Sequence, residues 1–147
     1  PDKKTLEEFL LKQLEEEHNR DKITEEMDAD LFIGQMKEDA KRALDAGIKK
    51  ERIILDPGVG FAKTQEQNLM TIANLDRLKA LGYPVLLGTS RKSVIGYVLD
   101  VPTDKRLVGT LATSAVAVQT GCMFVRVHDV KENVELIQML ERIRESR

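Results

Sequence analysis

Three short stretches carry residue types able to hold an anion. The first is Leu55-Asp56-Pro57-Gly58-Val59-Gly60-Phe61-Ala62-Lys63, where an apolar run stops at a carboxylate and opens into a loop with two glycines. Pro57 cannot extend a ladder, and glycine tolerates backbone angles and close approaches that a side chain blocks, so this loop can bring backbone close to a ligand. A second reading, in which Asp56 caps a turn made by those glycines, stands beside it. The other stretches are Gly88-Thr89-Ser90-Arg91-Lys92-Ser93 and Arg126-Val127-His128-Asp129-Val130. Arginine grips phosphate bidentately and lysine supplies a point charge, so Lys63, Arg91, Lys92 and Arg126, with Ser90 and His128, suit an anionic ligand with a polar, hydrogen-bonding body. Arg126 and His128 alternate, which puts both on one strand face while Val125 and Val127 point outward into helices. Alone, Arg126 would pair with Asp129 or a helix carboxylate, and His128 would bond a carbonyl. With Ser90, Arg91 and Lys92 arriving alongside, and Asp56 the one carboxylate expected on that edge, phosphate or sulfate becomes the favoured partner of these buried cations.

Elements must deliver these groups to one place. Ile53-Ile54-Leu55 lacks polar alternation and reads as a strand buried on both faces, as in a parallel sheet. Val85-Leu86-Leu87 and the run 124–128 read as two more. Between them, Thr64-Gln65-Glu66-Gln67 caps a helix whose stripe is Leu69, Ile72, Leu75, Leu78 and Leu81, ended by Gly82. A short helix over 94–99 leads through Pro102 to a longer one over 106–119, closed by Gly121. Asp129-Val130-Lys131-Glu132 caps a last helix with Val134, Ile137, Leu140 and Ile143 inward. Upstream, Thr5-Leu6-Glu7-Glu8 starts a helix to about residue 17, with Leu6, Phe9, Leu10 and Leu14 on one face. A second helix over 24–46 carries Leu31, Phe32, Met36, Ala40, Ala43 and Leu44 and stops at Gly47. Residues 1–50 are thus a mostly helical lead-in, and 51–147 hold three βα units within a single domain. Strands alternating with helices predict an α/β fold of parallel strands and right-handed crossovers, in which ligands bind at the C-terminal strand ends.

Composition narrows the function classes. A chain of 147 residues with 41% hydrophobic content can bury a real core. Net charge is -2 with both signs interspersed, so nucleic acid and anionic membrane are not expected as main partners. The single Cys122 rules out an intrachain disulfide and reads as a small buried hydrophobe. No run is long enough to span a bilayer and no charged-then-apolar leader opens the chain, so a cytoplasmic location is expected. The start at Pro1 hints at processing or an excised boundary.

Taken in order, the three motifs resemble the last three strand-end motifs of dihydropteroate synthase, from roughly Ala43 to the C-terminus. The resemblance implies the C-terminal portion of a TIM barrel. It also implies an activity in folate biosynthesis: p-aminobenzoate joins 6-hydroxymethyl-7,8-dihydropterin pyrophosphate, and pyrophosphate leaves. By resemblance, Asp56, Gly88 and Lys92 hold the pterin, with Asp56 as a buried carboxylate on its N–H groups. Phe61, Lys63, Ser90 and Arg91 line the p-aminobenzoate pocket, and Arg126 and His128 hold the diphosphate. Lys92, Arg126 and His128 are the implied catalytic set, and Mg²⁺ sits on the diphosphate through a protein ligand outside this chain. Sulfonamides are the implied inhibitors. A complete barrel takes ~250 residues and eight strands, so an enzyme fragment, a pterin- and anion-binding half-barrel without turnover, and an engineered or degenerate structural fragment all remain open. A methyltetrahydrofolate-binding transferase on the same barrel fits less well, because the motifs suit a diphosphate leaving group. His18-Asn19-Arg20 resembles the fifth-strand motif, but Glu15-Glu16-Glu17 before it cannot be buried in a barrel wall without a large penalty, so His18 and Asn19 read as a helix terminus. An open part-barrel exposes sheet edges and an unfilled interior, so either a homodimer or association with the missing half is expected. The family dimerises through outer helices near its C-terminus, and the small-residue helix over 107–118 offers such a surface.

Overall fold

The computed structural model describes residues 27–147, together with residues 7, 8 and 10–12, which are helical. The expected first helix agrees at those positions and otherwise lies outside the described residues, as do His18, Asn19 and Arg20. Helix α1 (Ala29–Asp45) starts where the Asp28 carboxylate accepts the Leu31 N–H at 2.8 Å, satisfying a donor that the first turn leaves free. It therefore begins later than the expected Thr24, itself outside the described residues.

Helix α2 (Gln65–Ala73) opens with the expected capping box: the Gln67 N–H donates to Thr64 Oγ1 at 3.2 Å and the Thr64 N–H to Gln67 Oε1 at 2.9 Å. It does not run on toward Gly82. At Asn74 it gives way to a short α3 (Leu75–Lys79), and Asn74 Nδ2 donates to the Met70 carbonyl at 2.8 Å, the kind of local bond by which asparagine competes with the helical ladder. The stripe survives the break, since Ile72, Leu75 and Leu78 are buried and Leu69 and Leu81 pack against them.

Strand β1 (Leu86–Leu87) pairs in parallel with β2 (Phe124–Val125), Leu86 opposite Phe124 and Leu87 opposite Val125. On its other side, Leu55 makes a parallel bridge to Val85. Order and direction are those expected, but the ladder is shorter: 53–55 contributes one bridge, and β2 ends at Val125 instead of running to 128. The Arg126 N–H still donates to the Leu87 carbonyl at 2.9 Å, whereas the His128 N–H goes to the Ser90 hydroxyl at 3.1 Å, because the chain beyond Gly88 has left the sheet.

The pleat separates two faces. Leu55, Val85 and Leu87 are 5%, 0% and 1% exposed and meet Ile72, Leu75, Leu78 and Ala117, while Ile54 and Phe124 are 52% and 42% exposed. Residues 53–55 are therefore not buried on both faces. Helices cover one side of the sheet, and the other is left open at Ile54 and Phe124.

Helix α4 (Ser93–Leu99) precedes α5 (Leu107–Thr120), whose buried Thr110, Ser114 and Ala117 are small enough to let it lie close on the core. Helix α6 (Val130–Arg144) docks on α5 through a buried polar pair: Ser114 Oγ donates to Asn133 Oδ1 at 2.6 Å, and the Asn133 amide donates to the Asp129 carbonyl at 2.8 Å. That pair sets the rotation of α6, so Val134 and Ile143, expected inward, are exposed while Ile137 and Leu140 are half-buried. The Asp129 side chain makes no capping bond, being engaged elsewhere. Among the described residues no helix is long and apolar enough to cross a membrane.

Candidate anion-binding site at the strand ends

The loop after Leu55 is pinned at both ends. The Gly58 N–H donates to Asp56 Oδ1 at 2.9 Å, and the Gly60 N–H to Asn68 Oδ1 of α2 at 2.8 Å. Lys63 Nζ turns back onto the Gly58 carbonyl at 2.9 Å and the Phe61 carbonyl at 3.3 Å. Gly60 has φ +87, and a Cβ there would stand 3.2 Å from Lys92 Cδ, so glycine allows both the turn and the passage of the lysine. Lys92 Nζ donates to the Val59 carbonyl and lies 4.8 Å from the centre of the Phe61 ring. Asp56 is exposed, not buried as expected: it lies on the same uncovered sheet face as Ile54.

The second and third motifs meet beside it. Arg126 crosses over Gly88, where a Cβ would fall 2.7 Å from Nη2. Ser90 Oγ is 2.6 Å from His128 Nδ1 and accepts the His128 N–H, so one hydroxyl fixes the ring and its backbone together. Ser90, Lys92, Arg126 and His128 line one recess of about 310 Å³ with Gly88 and Val127. A second recess, about 290 Å³, lies against α1 and is lined by Phe32, Asp56, Phe61 and Lys63 among others. Lys92 of the first recess is in contact with Phe61 of the second. Arg126 and His128 are exposed, in contrast to the buried cations expected, again because they share the uncovered face.

Arg91 does not join this cluster. It has φ +57, and its Nη2 pairs with Asp129 Oδ1 at 3.0 Å. Asp129 is thus a second carboxylate at this edge, and it neutralises Arg91, not Arg126. Left-handed backbone at a non-glycine residue has no periodic signature, which is why sequence alone placed Arg91 with its neighbours. Asn68 was also missed as the anchor of Gly60. The available signal was a polar residue on the buried side of an apolar stripe, where an unpaired amide would be costly.

Burial pushes the Lys92 amine below the ordinary lysine value, Arg126 adds to that, and Asp56 opposes it. Burial likewise lowers Lys63, Asp56 opposing and Lys92 adding. Lys63, Lys92 and Arg126 therefore crowd round one exposed carboxylate, and a polyanion would relieve the repulsion. A lowered lysine is charged less readily folded than unfolded, so the unfolded chain binds more protons in that window and stability rises with pH toward the unfolded value of 10.5. Lys63→Met should remove its share: as pH rises toward 10.5, urea unfolding should show a smaller gain for the variant than for wild type. Equal gains would mean that Lys63 titrates normally. Cys122 is half-buried, and burial raises its thiol above the ordinary value, as befits a core thiol.

The described residues do not fit a resident Mg²⁺. That ion wants several oxygen ligands, yet no group of three or more His, Cys, Asp or Glu converges among the described residues, and Asp56 is flanked by lysines that repel a dication.

An α/β sheet with cations and glycine loops at its strand ends is the setting in which known families can be compared. Residues 10–128 match the family described as pterin binding enzyme, and the chain belongs to that family. Among its relatives, the dihydropteroate synthase of Clostridium beijerinckii is 50% identical over 127 residues, 86% of this chain and 47% of the relative. Two solved structures align well. The dihydropteroate synthase of Clostridium difficile, solved in the presence of pteroic acid, has a TM-score of 0.71 at 49% identity and covers 76% of this chain and 44% of that one. The Yersinia pestis enzyme in a sulfonamide drug complex has a TM-score of 0.73 at 38% identity over 78% of this chain and 42% of that one. The chain spans about half the length of the curated relatives it matches.

Proposed function

We propose that the chain is the C-terminal part of a dihydropteroate synthase barrel, a single domain of residues 1–147 whose units over 51–147 carry the site. Its strand ends take 6-hydroxymethyl-7,8-dihydropterin pyrophosphate for condensation with p-aminobenzoate. The observation that carries this reading is the recess formed by Ser90, Lys92, Arg126 and His128, three nitrogen-bearing side chains and a hydroxyl with no carboxylate among its lining residues. As the pterin methylene C–O bond breaks, its electron pair leaves with the diphosphate, and preorganised cations lower the energy of that developing charge. The aniline nitrogen then bonds to the methylene carbon and loses a proton. In this scheme Lys92, Arg126 and His128 stabilise the leaving group. Asp56, Gly88 and Lys92 face the pterin, and Phe61, Lys63 and Ser90 face p-aminobenzoate or a sulfonamide in its place. For Arg91 to join that wall, its guanidinium would have to leave Asp129. A protein ligand for Mg²⁺ would have to come from outside this chain.

The uncovered face of Ile54 and Phe124 supports assembly, either with a segment supplying the remaining strands or with a second copy in a cytoplasmic homodimer. Calorimetry with pyrophosphate and with the pterin pyrophosphate tests the site, and turnover with a separately expressed N-terminal half of a homologous enzyme tests catalysis. Binding with turnover only in the mixture is the expected result. Binding without turnover in the mixture would leave a half-barrel binding module, and no binding would leave a structural fragment. Sedimentation of the chain alone as a monomer at micromolar concentration would count against the homodimer.

A further inference from the structure

One face of α5 is spent on a single loop. Thr89 Oγ1 is 2.6 Å from Thr113 Oγ1, the Arg91 N–H donates to Thr110 Oγ1 at 3.1 Å, and Arg106 Nη1 donates to the Arg91 carbonyl at 2.9 Å. Positions 106, 110 and 113 are one helical face by spacing, so the helix entry meets the loop at three consecutive points. The holders are themselves held: Thr110 is fully buried and donates to the Arg106 carbonyl at 2.9 Å, and Arg106 Nε donates to the Val101 carbonyl at 3.2 Å. Between Thr110 and Arg106 sits a residue whose backbone is in the left-handed region. Arg91 adopts φ +57, which an L side chain rarely does, and both of its backbone polar groups are taken. On either side of it lie Ser90, which fixes His128, and Lys92, which crosses to Val59 and Phe61.

We propose that Arg106 and Thr110 are positioning residues for the anion recess: by clamping the backbone of Arg91 they set the separation of Ser90 and Lys92 and, through Ser90, the orientation of the His128 ring. Neither side chain lines the recess, so neither needs to touch a ligand. The clamp also links α5, on the helix layer, through Ser90 to His128 in the third motif, just beyond β2. The part of the inference that concerns ligand affinity rests on the proposed function, whereas the part that concerns His128 does not.

Thr110→Val keeps the shape and removes the acceptor and donor; Thr110→Ser keeps both. With the intact chain labelled with nitrogen-15, the His128 Nδ1 signal reports the Ser90 hydrogen bond, and calorimetry with inorganic pyrophosphate reports the recess. Thr110→Val should shift the His128 Nδ1 signal toward that of a free imidazole and weaken pyrophosphate roughly fivefold or more, as expected for one lost buried hydrogen bond. Thr110→Ser should restore both. Arg106→Lys, which keeps the charge but cannot serve the Val101 and Arg91 carbonyls together, should reproduce the His128 shift and stands in if Thr110→Val fails to fold. An unchanged His128 signal in the folded variant overturns the proposal. A shifted signal in a chain that binds no pyrophosphate keeps the clamp and rejects the functional reading.

Discussion

Arg126→Ala should weaken pyrophosphate binding about tenfold at low ionic strength, the value of a charge-assisted contact of roughly 1.5 kcal/mol. The guanidinium lies across Gly88 at the centre of the recess, with Lys92 close enough for its charge to be felt. It is exposed, so the loss should shrink as salt screens the pair, and the comparison belongs at two ionic strengths. Arg126→Lys should recover part of the affinity, since a point charge remains but the fork that grips two phosphate oxygens is gone. Removing Arg126 also relieves the repulsion that lowers Lys92, so some compensation by Lys92 is built into the site. Calorimetric titration of the three proteins checks this. Equal affinity in Arg126→Ala and wild type would move the anion away from the recess.

Leu87→Ala should be strongly damaging, costing about 2–5 kcal/mol, a large fraction of the 5–15 kcal/mol typical of a whole domain. Leu87 is in the central strand, 1% exposed, opposite Val125 and within the same cluster as Leu75, Leu78 and Ala117. Its truncation leaves a cavity where the helix layer meets the sheet. Ile54→Ser, on the other face, is the internal contrast: in this chain alone it should change stability by no more than about 0.5 kcal/mol. Urea denaturation followed by circular dichroism gives both values. A small loss for Leu87→Ala would mean that the sheet is not the core, and a large loss for Ile54→Ser would mean that its face is covered in solution.

Much of this protein was legible in its residues. Hydrophobic spacing located α2 with its capping box at Thr64 and Gln67, α4, α5 to its stop at Gly121, and the parallel order of residues 53–55, 85–87 and 124–125. These features depend on local periodicity and capping, which neighbours in sequence decide. The three motifs likewise pointed to one sheet edge, because parallel strands joined by helices deliver their C-terminal ends together. Tertiary structure decided the rest. It placed Arg91 in a left-handed turn clamped by Arg106 and Thr110, and gave Asp129 to Arg91 over Arg126. It broke the expected long helix at Asn74, and it left Ile54, Asp56, Phe124, Arg126 and His128 exposed along one side of the sheet. An apolar or charged residue carries the same signal whether or not a partner arrives from elsewhere in the chain. Which carboxylate meets which cation, and which face of a strand is covered, are set by contacts between residues far apart in sequence, and no local pattern records them.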